Sequence, residues 1–125
     1  MKIRRFKKQD TKSIAKLISS TFLKYNGSEG GRESVRKYVS RYSPDNISKL
    51  TDQFGHDPII FIATENERVL GVVRGDEHRV FQLFVDGNSH GKGIGKKLME
   101  SFEERARDYG SRIIRLRSSL YAVQF

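Results

Sequence analysis

The chain has no cysteine. That excludes a disulfide framework, a thiolate zinc site, an iron–sulfur cluster and a cysteine nucleophile, and it suits a reducing cytoplasm. The three histidines, His56, His78 and His90, have no metal-ligand spacing. No metal site is expected. Long apolar runs are missing as well. The longest is Ile59-Ile60-Phe61-Ile62-Ala63, far short of the ~20 residues that span a bilayer. The basic start, Met1-Lys2-Ile3-Arg4-Arg5-Phe6-Lys7-Lys8, is not followed by the apolar stretch of a secretory signal. Repeats and low-complexity segments are absent. What remains is 125 residues, one domain's worth. A chain of that length buries roughly two-thirds of its unfolded surface and needs no covalent staples.

Acidic residues are also in short supply. Twenty-four Lys and Arg face fifteen Asp and Glu, a net charge of +9. The excess is uneven. Residues 1–24 hold eight basic residues against one acidic, and residues 87–125 hold eight against four. Between them, residues 58–86 are slightly acidic. Such a chain suits an anionic partner: nucleic acid, an anionic membrane or a phosphorylated small molecule. It equally suits a solvated surface.

Ile3 and Phe6 suggest a first strand that enters a helix at Asp10. Ile14, Leu17, Ile18 and Phe22 then form one apolar stripe on a helix over residues 10–24. Gly27, Gly30 and Gly31 break it. Val35, Tyr38, Val39 and Tyr42 make a second stripe that Pro44 ends. Ile47, Leu50 and Phe54 continue as a short third piece. The character then changes. Ile59–Thr64 and Val69–Arg74 read as a hairpin about the polar turn Glu65-Asn66-Glu67. A turn at Gly75-Asp76-Glu77 leads to a third strand, Val80–Val85, apolar on both faces apart from Gln82. A glycine-rich loop, Asp86–Gly93, opens an amphipathic helix with Ile94, Leu98, Met99, Phe102, Ala106 and Tyr109 on one face, stopped at Gly110. Arg112–Arg117 is another strand, and Ser118-Ser119 suits a helix cap. A strand–helix–strand crossover makes its two strands parallel neighbours. The fold class is α/β, a mixed and mostly antiparallel sheet flanked by helices.

The loop His90-Gly91-Lys92-Gly93-Ile94-Gly95-Lys96 carries the chemistry. The first turn of a helix has N–H groups without intrahelical partners and a positive dipole end. Glycines bring a ligand close to that backbone, so the site suits phosphate. The loop fails as a Walker sequence, because His90 stands where Gly is needed and Lys97 where Ser or Thr is needed. A dinucleotide fingerprint fails at Lys96 and Leu98.

The run His90-Gly91-Lys92-Gly93-Ile94-Gly95 resembles the [Q/R]-x-x-G-x-[G/A] loop of the GNAT superfamily of N-acetyltransferases, departing only in His90. Gln82-Leu83-Phe84-Val85-Asp86 resembles the strand before that loop, and Gly95-Lys96-Lys97-Leu98-Met99 the helix after it. Arg117-Ser118-Ser119 with Ala122 and Phe125 resembles the next strand end and helix start. The element order is similar throughout residues 1–125, read as a single GNAT-type domain. The family usually continues beyond the segment ending here at Phe125 with a Tyr and further strands, so the resemblance implies a missing C-terminal sheet edge. An open edge predicts pairing with a second copy as a homodimer.

The resemblance implies acetyl transfer from acetyl-CoA to a primary amine of unidentified identity, without a metal. It implies that the coenzyme's pyrophosphate lies on residues 91–96, with Lys92, Lys96 and Lys97 adding charge and His90 lining the phosphates or anchoring the loop. The pantetheine arm lies beside Leu83, Phe84 and Val85 like an added strand. The main-chain N–H of Val85 stabilises the thioester oxyanion, and the sheet splays there, often at a bulge. A base is needed to neutralise the amine. Glu77 is the first candidate, with His78 and Gln82 on or near the same strand. The family's Tyr acid has no counterpart, since Tyr121 does not match its position. A coenzyme A-binding module with little chemistry is the alternative. A basic nucleic-acid-associated domain is a further one, but no helix-turn-helix, zinc knuckle or RNP-like motif is present.

Overall fold

The computed structural model describes residues 1–26, 32–89, 91–110 and 115–116. Five strands, β1 (Lys2–Arg5), β2 (Ile59–Glu65), β3 (Arg68–Gly75), β4 (Arg79–Val85) and β5 (Arg115–Leu116), form one sheet in chain order. Neighbours from β1 to β4 are antiparallel, whereas β4 and β5 are parallel. The parallel pair is the one that the crossover through the glycine loop requires.

Helices α1 (Thr11–Asn26), α2 (Arg32–Arg41) and α3 (Ile47–His56) precede β2, and α4 (Ile94–Asp108) joins β4 to β5. Pro44 starts a short 3-10 turn that feeds α3. The sheet separates two cores. Leu98, Phe102 and Ala106 of α4 pack against Ile59, Val73, Val80 and Leu83 on one face. Ile14 and Ile18 of α1, Tyr42, and Leu50 and Phe54 of α3 pack against Ile62, Val72 and Phe84 on the other. Tyr109 departs from its expected place on the apolar face. It is 49% exposed, its ring lying against the Arg105 guanidinium, because α4 ends at Asp108 and Tyr109 is its C-cap.

Two bulges interrupt the alternation of side chains. Val80 and Leu83 stand three residues apart yet enter the same core, which a regular strand forbids. The register explains it: Arg74 faces Gln82 while Gly75 faces Val80, so Phe81 is the extra residue. Leu70 is the corresponding extra residue of β3, between the Ala63–Gly71 and Thr64–Val69 pairs. No described helix is long and apolar enough to cross a membrane.

Candidate functional site at the end of β4

The β4–α4 connection begins with Asp86. Its N–H donates to the Leu70 carbonyl at 2.8 Å, its carbonyl accepts from Ser89 N–H at 2.9 Å, and its carboxylate accepts from Asn88 N–H and from Arg68. These bonds close the chain into a 3-10 turn at Gly87–Ser89. Gly91 and Gly93 then adopt φ of +85° and +75°, the left-handed region where a side chain is strained. A Cβ at either position would have no neighbour within 4 Å. The glycines therefore answer to backbone angle and leave open space before the helix. The first intrahelical bond is Lys97 N–H to the Gly93 carbonyl, at 3.1 Å. The N–H groups of Ile94, Gly95 and Lys96 thus head the helix without an intrahelical acceptor. The first turn holds no acidic residue, and Lys92, Lys96 and Lys97 are exposed. This end of α4 is positive by dipole and by side chain.

The strand before it keeps its side chains in the two cores. Leu83 and Val85 are buried in the core under α4, and Phe84 in the other core. Asp86 N–H points to β3, so strand alternation turns the N–H groups of Leu83 and Val85 toward the β5 side. The described part of β5 pairs with Arg79 and Val80, at the opposite end of β4.

Glu77 and His78 stand apart from the loop. They lie in the β3–β4 turn, where Glu77 Oε1 is 3.8 Å from His78 Nε2 and His78 N–H donates to Asp76. The length of β4 separates that turn from Asp86 by roughly 20 Å at 3.3 Å per residue. The structure brings together Leu83–Val85, Gly91–Lys96 and their lysines. His90 falls outside the described residues, as do Arg117, Ser118, Ser119, Ala122 and Phe125.

A polar chain was not foreseen from the sequence. On the face of β3 and β4 away from α4, Arg74 donates to both carboxylate oxygens of Asp57, at 2.6 and 3.0 Å. It also donates to Gln82 Oε1 at 2.7 Å, and Gln82 Nε2 donates to the Tyr42 hydroxyl at 2.7 Å. Arg74 is 5% exposed, its guanidinium over the rings of Phe54 and Phe81. Burial pushes the Asp57 carboxyl up, and the hydrogen bonds and charge of Arg74 offset only part of that, leaving it above the usual carboxylate range. A charged residue in the apolar run Val72-Val73-Arg74 was the available signal. Asp10 contrasts with Asp57. Burial pushes it up, but two bonds from Arg4 and one from Lys7 N–H outweigh this and hold it below the usual range.

Among the described cavities the largest, about 830 Å³, is an open cleft by β1 and the β2–β3 turn, lined by Arg4, Asp10 and Glu67 among others. It lies across the sheet from the β5 edge of β4. No group of three or more His, Asp or Glu among the described residues could hold a metal ion.

The fold is shared with solved structures. An N-acetyltransferase from Rhodopseudomonas palustris superposes with a TM-score of 0.84 at 18% identity, over 97% of this chain and 74% of that one. The PaiA N-acetyltransferase of Thermoplasma acidophilum, solved with coenzyme A, gives 0.71 at 16% identity, over 87% and 73%. A GNAT family acetyltransferase from Brucella melitensis, solved with acetyl-CoA, gives 0.66 at 20% identity, over 95% and 76%. No curated protein matches the sequence. Residues 27–125, which include the glycine loop and the whole of β2 to β4, match the family described as Acetyltransferase (GNAT) domain, and the chain belongs to that family.

Proposed function

We propose that the protein transfers an acetyl group from acetyl-CoA to a primary amine. The observation that carries this reading is the head of α4, where Gly91 and Gly93 are left-handed and the N–H groups of Ile94, Gly95 and Lys96 have no intrahelical acceptor. Pyrophosphate suits that place. Lys92 and Lys96 add positive charge there, and His90 is carried in the proposal as a residue that lines the phosphates or anchors the loop. The pantetheine arm runs along the β5 side of Leu83, Phe84 and Val85 and bonds to main chain.

In the reaction the neutral amine nitrogen attacks the thioester carbonyl carbon. A C–N bond forms, and the carbonyl oxygen takes the negative charge beside Val85 N–H. The oxyanion then collapses, the C–S bond breaks, and the thiolate leaves to be protonated. The amine proton passes to a base, for which Glu77 is the candidate; roughly 20 Å separate its turn from Asp86 along β4, so the proton travels a relay of several waters rather than a single bridging one. Glu77→Gln is expected to lower kcat at least tenfold and leave the KM for acetyl-CoA unchanged. An unchanged kcat assigns the base elsewhere.

The domain reading over residues 1–125, a homodimer through the sheet edge and a cytoplasmic setting are carried with this proposal. Sedimentation at high concentration tests the dimer, and a clean monomer ends it. Calorimetric titration with acetyl-CoA tests the coenzyme site. Micromolar binding by the wild type, lost in Gly93→Glu, is expected. That variant places a carboxylate where the phosphates belong.

A further inference from the structure

One carboxylate stands in the segment assigned to the coenzyme's phosphates. From the end of β4 to the first turn of α4, residues 86–97 hold three lysines and a single acidic residue, Asp86. A negative charge beside an anion site weakens binding. Its presence calls for a use, and its bonds show one.

Asp86 ties β3 to the connection that leads into α4. Its main-chain N–H donates to the Leu70 carbonyl at 2.8 Å, and its carbonyl accepts from Ser89 N–H at 2.9 Å. Its carboxylate divides between two partners. Oδ1 accepts from Asn88 N–H at 3.3 Å, two residues on, the pattern of an Asx turn. Oδ2 accepts from Arg68 Nη2 at 3.2 Å. Ser89, at the end of the turn, is buried, and left-handed Gly91 follows two residues later. The side chain of Asp86 thus helps to set the direction in which the chain leaves β4 for the head of α4.

Arg68 stands at the start of β3. Its side chain is 70% exposed, against 22% for Asp86. An ion pair that open adds little to stability, so its effect is local. It keeps Oδ2 on the β3 side, which leaves Oδ1 for the turn, and it offsets the negative charge. Lys16 and Glu67 are the other charged side chains of the open cavity that the pair borders.

We propose that Asp86 and Arg68 are positioning residues for the coenzyme. The Asp86 carboxylate shapes the turn that delivers residues 91–96 to the phosphates, and Arg68 holds that carboxylate and offsets its charge. This rests on the acetyltransferase reading. It gives the carboxylate two effects of opposite sign. As a bare charge it opposes an anion, so its removal tightens binding. As the acceptor that closes the turn it favours binding, so its removal weakens it. Asp86→Ala removes both. Asp86→Asn removes the charge and keeps an oxygen for Asn88 N–H.

The test is calorimetric titration of the full chain with acetyl-CoA at low salt, with urea midpoints measured alongside. Asp86→Ala is expected to raise the Kd about fivefold or more, the worth of one hydrogen bond. Asp86→Asn is expected to bind as tightly as the wild type or more tightly. Arg68→Gln is expected to raise the Kd about threefold with a urea midpoint near that of the wild type, and to change nothing when added to Asp86→Asn. Residues that served only the fold would move the urea midpoints and leave the Kd alone. Arg68→Gln, at an exposed side chain, serves if Asp86→Ala does not fold. Three results overturn the inference while leaving the coenzyme site intact: Asp86→Ala binding as tightly as the wild type or more tightly, Asp86→Asn binding as weakly as Asp86→Ala, or Arg68→Gln being harmless or equally harmful in both backgrounds. No binding by the wild type removes the coenzyme site and the inference with it.

Discussion

Arg74 donates two hydrogen bonds to Asp57 and one to Gln82, and its loss should be felt throughout. Arg74→Met leaves the Asp57 carboxylate buried without its counter-charge. Urea denaturation at pH 7 should show a loss of about 3–5 kcal/mol, the cost of breaking a buried pair from one side. Asp10 gives a pH-dependent counterpart. Its folded pKa is depressed, so the stability it adds is present above the unfolded carboxylate range and is lost as pH falls through the folded value. Asp10→Asn should therefore cost about 1–2 kcal/mol at pH 7, and the gap between variant and wild type should close below about pH 4. Asp57 has the opposite sign. Its folded pKa is raised, so its contribution is fully present at acid pH and declines as pH rises through that value. A single sequence shows an arginine inside an apolar run, but not that its partner lies seventeen positions upstream. Long-range pairing depends on how α3 meets β3, which local composition does not carry.

The turn between β2 and β3 shows how an element can fit its sequence imperfectly. Asn66 and Glu67 both have positive φ, 51° and 66°, as a two-residue hairpin turn requires. Asn tolerates this and Glu does not. Glu67→Gly should raise stability by about 1 kcal/mol, read from the urea midpoint. Gly75 is the reverse case. A Cβ there would collide with the Arg79 carbonyl and come within 2.9 Å of the Phe102 ring. Gly75→Ala should cost about 3 kcal/mol or more, or open the β3–β4 turn. The elements themselves were legible where apolar periodicity was long: α1, α4, the β2–β3 hairpin and the parallel placing of β5 all follow from the pattern. Even the short α3 follows from Ile47, Leu50 and Phe54, two of which are buried. The bulges at Leu70 and Phe81 were not legible, because an extra residue exists only relative to the strand opposite.

Across the molecule, charge, sheet order and the glycine loop converge on one edge. The acidic middle of the sequence builds the sheet, and part of the basic excess gathers at the head of α4. The loop was legible because its chemistry is local: glycines, lysines and a helix start in sequence. The polar chain from Asp57 to Tyr42 was not, because it draws on the residues that follow α2 and α3 and on β3 and β4. Family membership bounds the reaction to acetyl transfer, and the account of this chain then depends on whether the head of α4 holds the coenzyme. Calorimetric titration of wild type and Gly93→Glu with acetyl-CoA asks this directly, with the urea midpoint of the variant as the control for folding. Micromolar binding by the wild type, abolished in a folded variant, is the expected result. Equal binding by both proteins, or none by the wild type, would contradict a coenzyme site on residues 91–96.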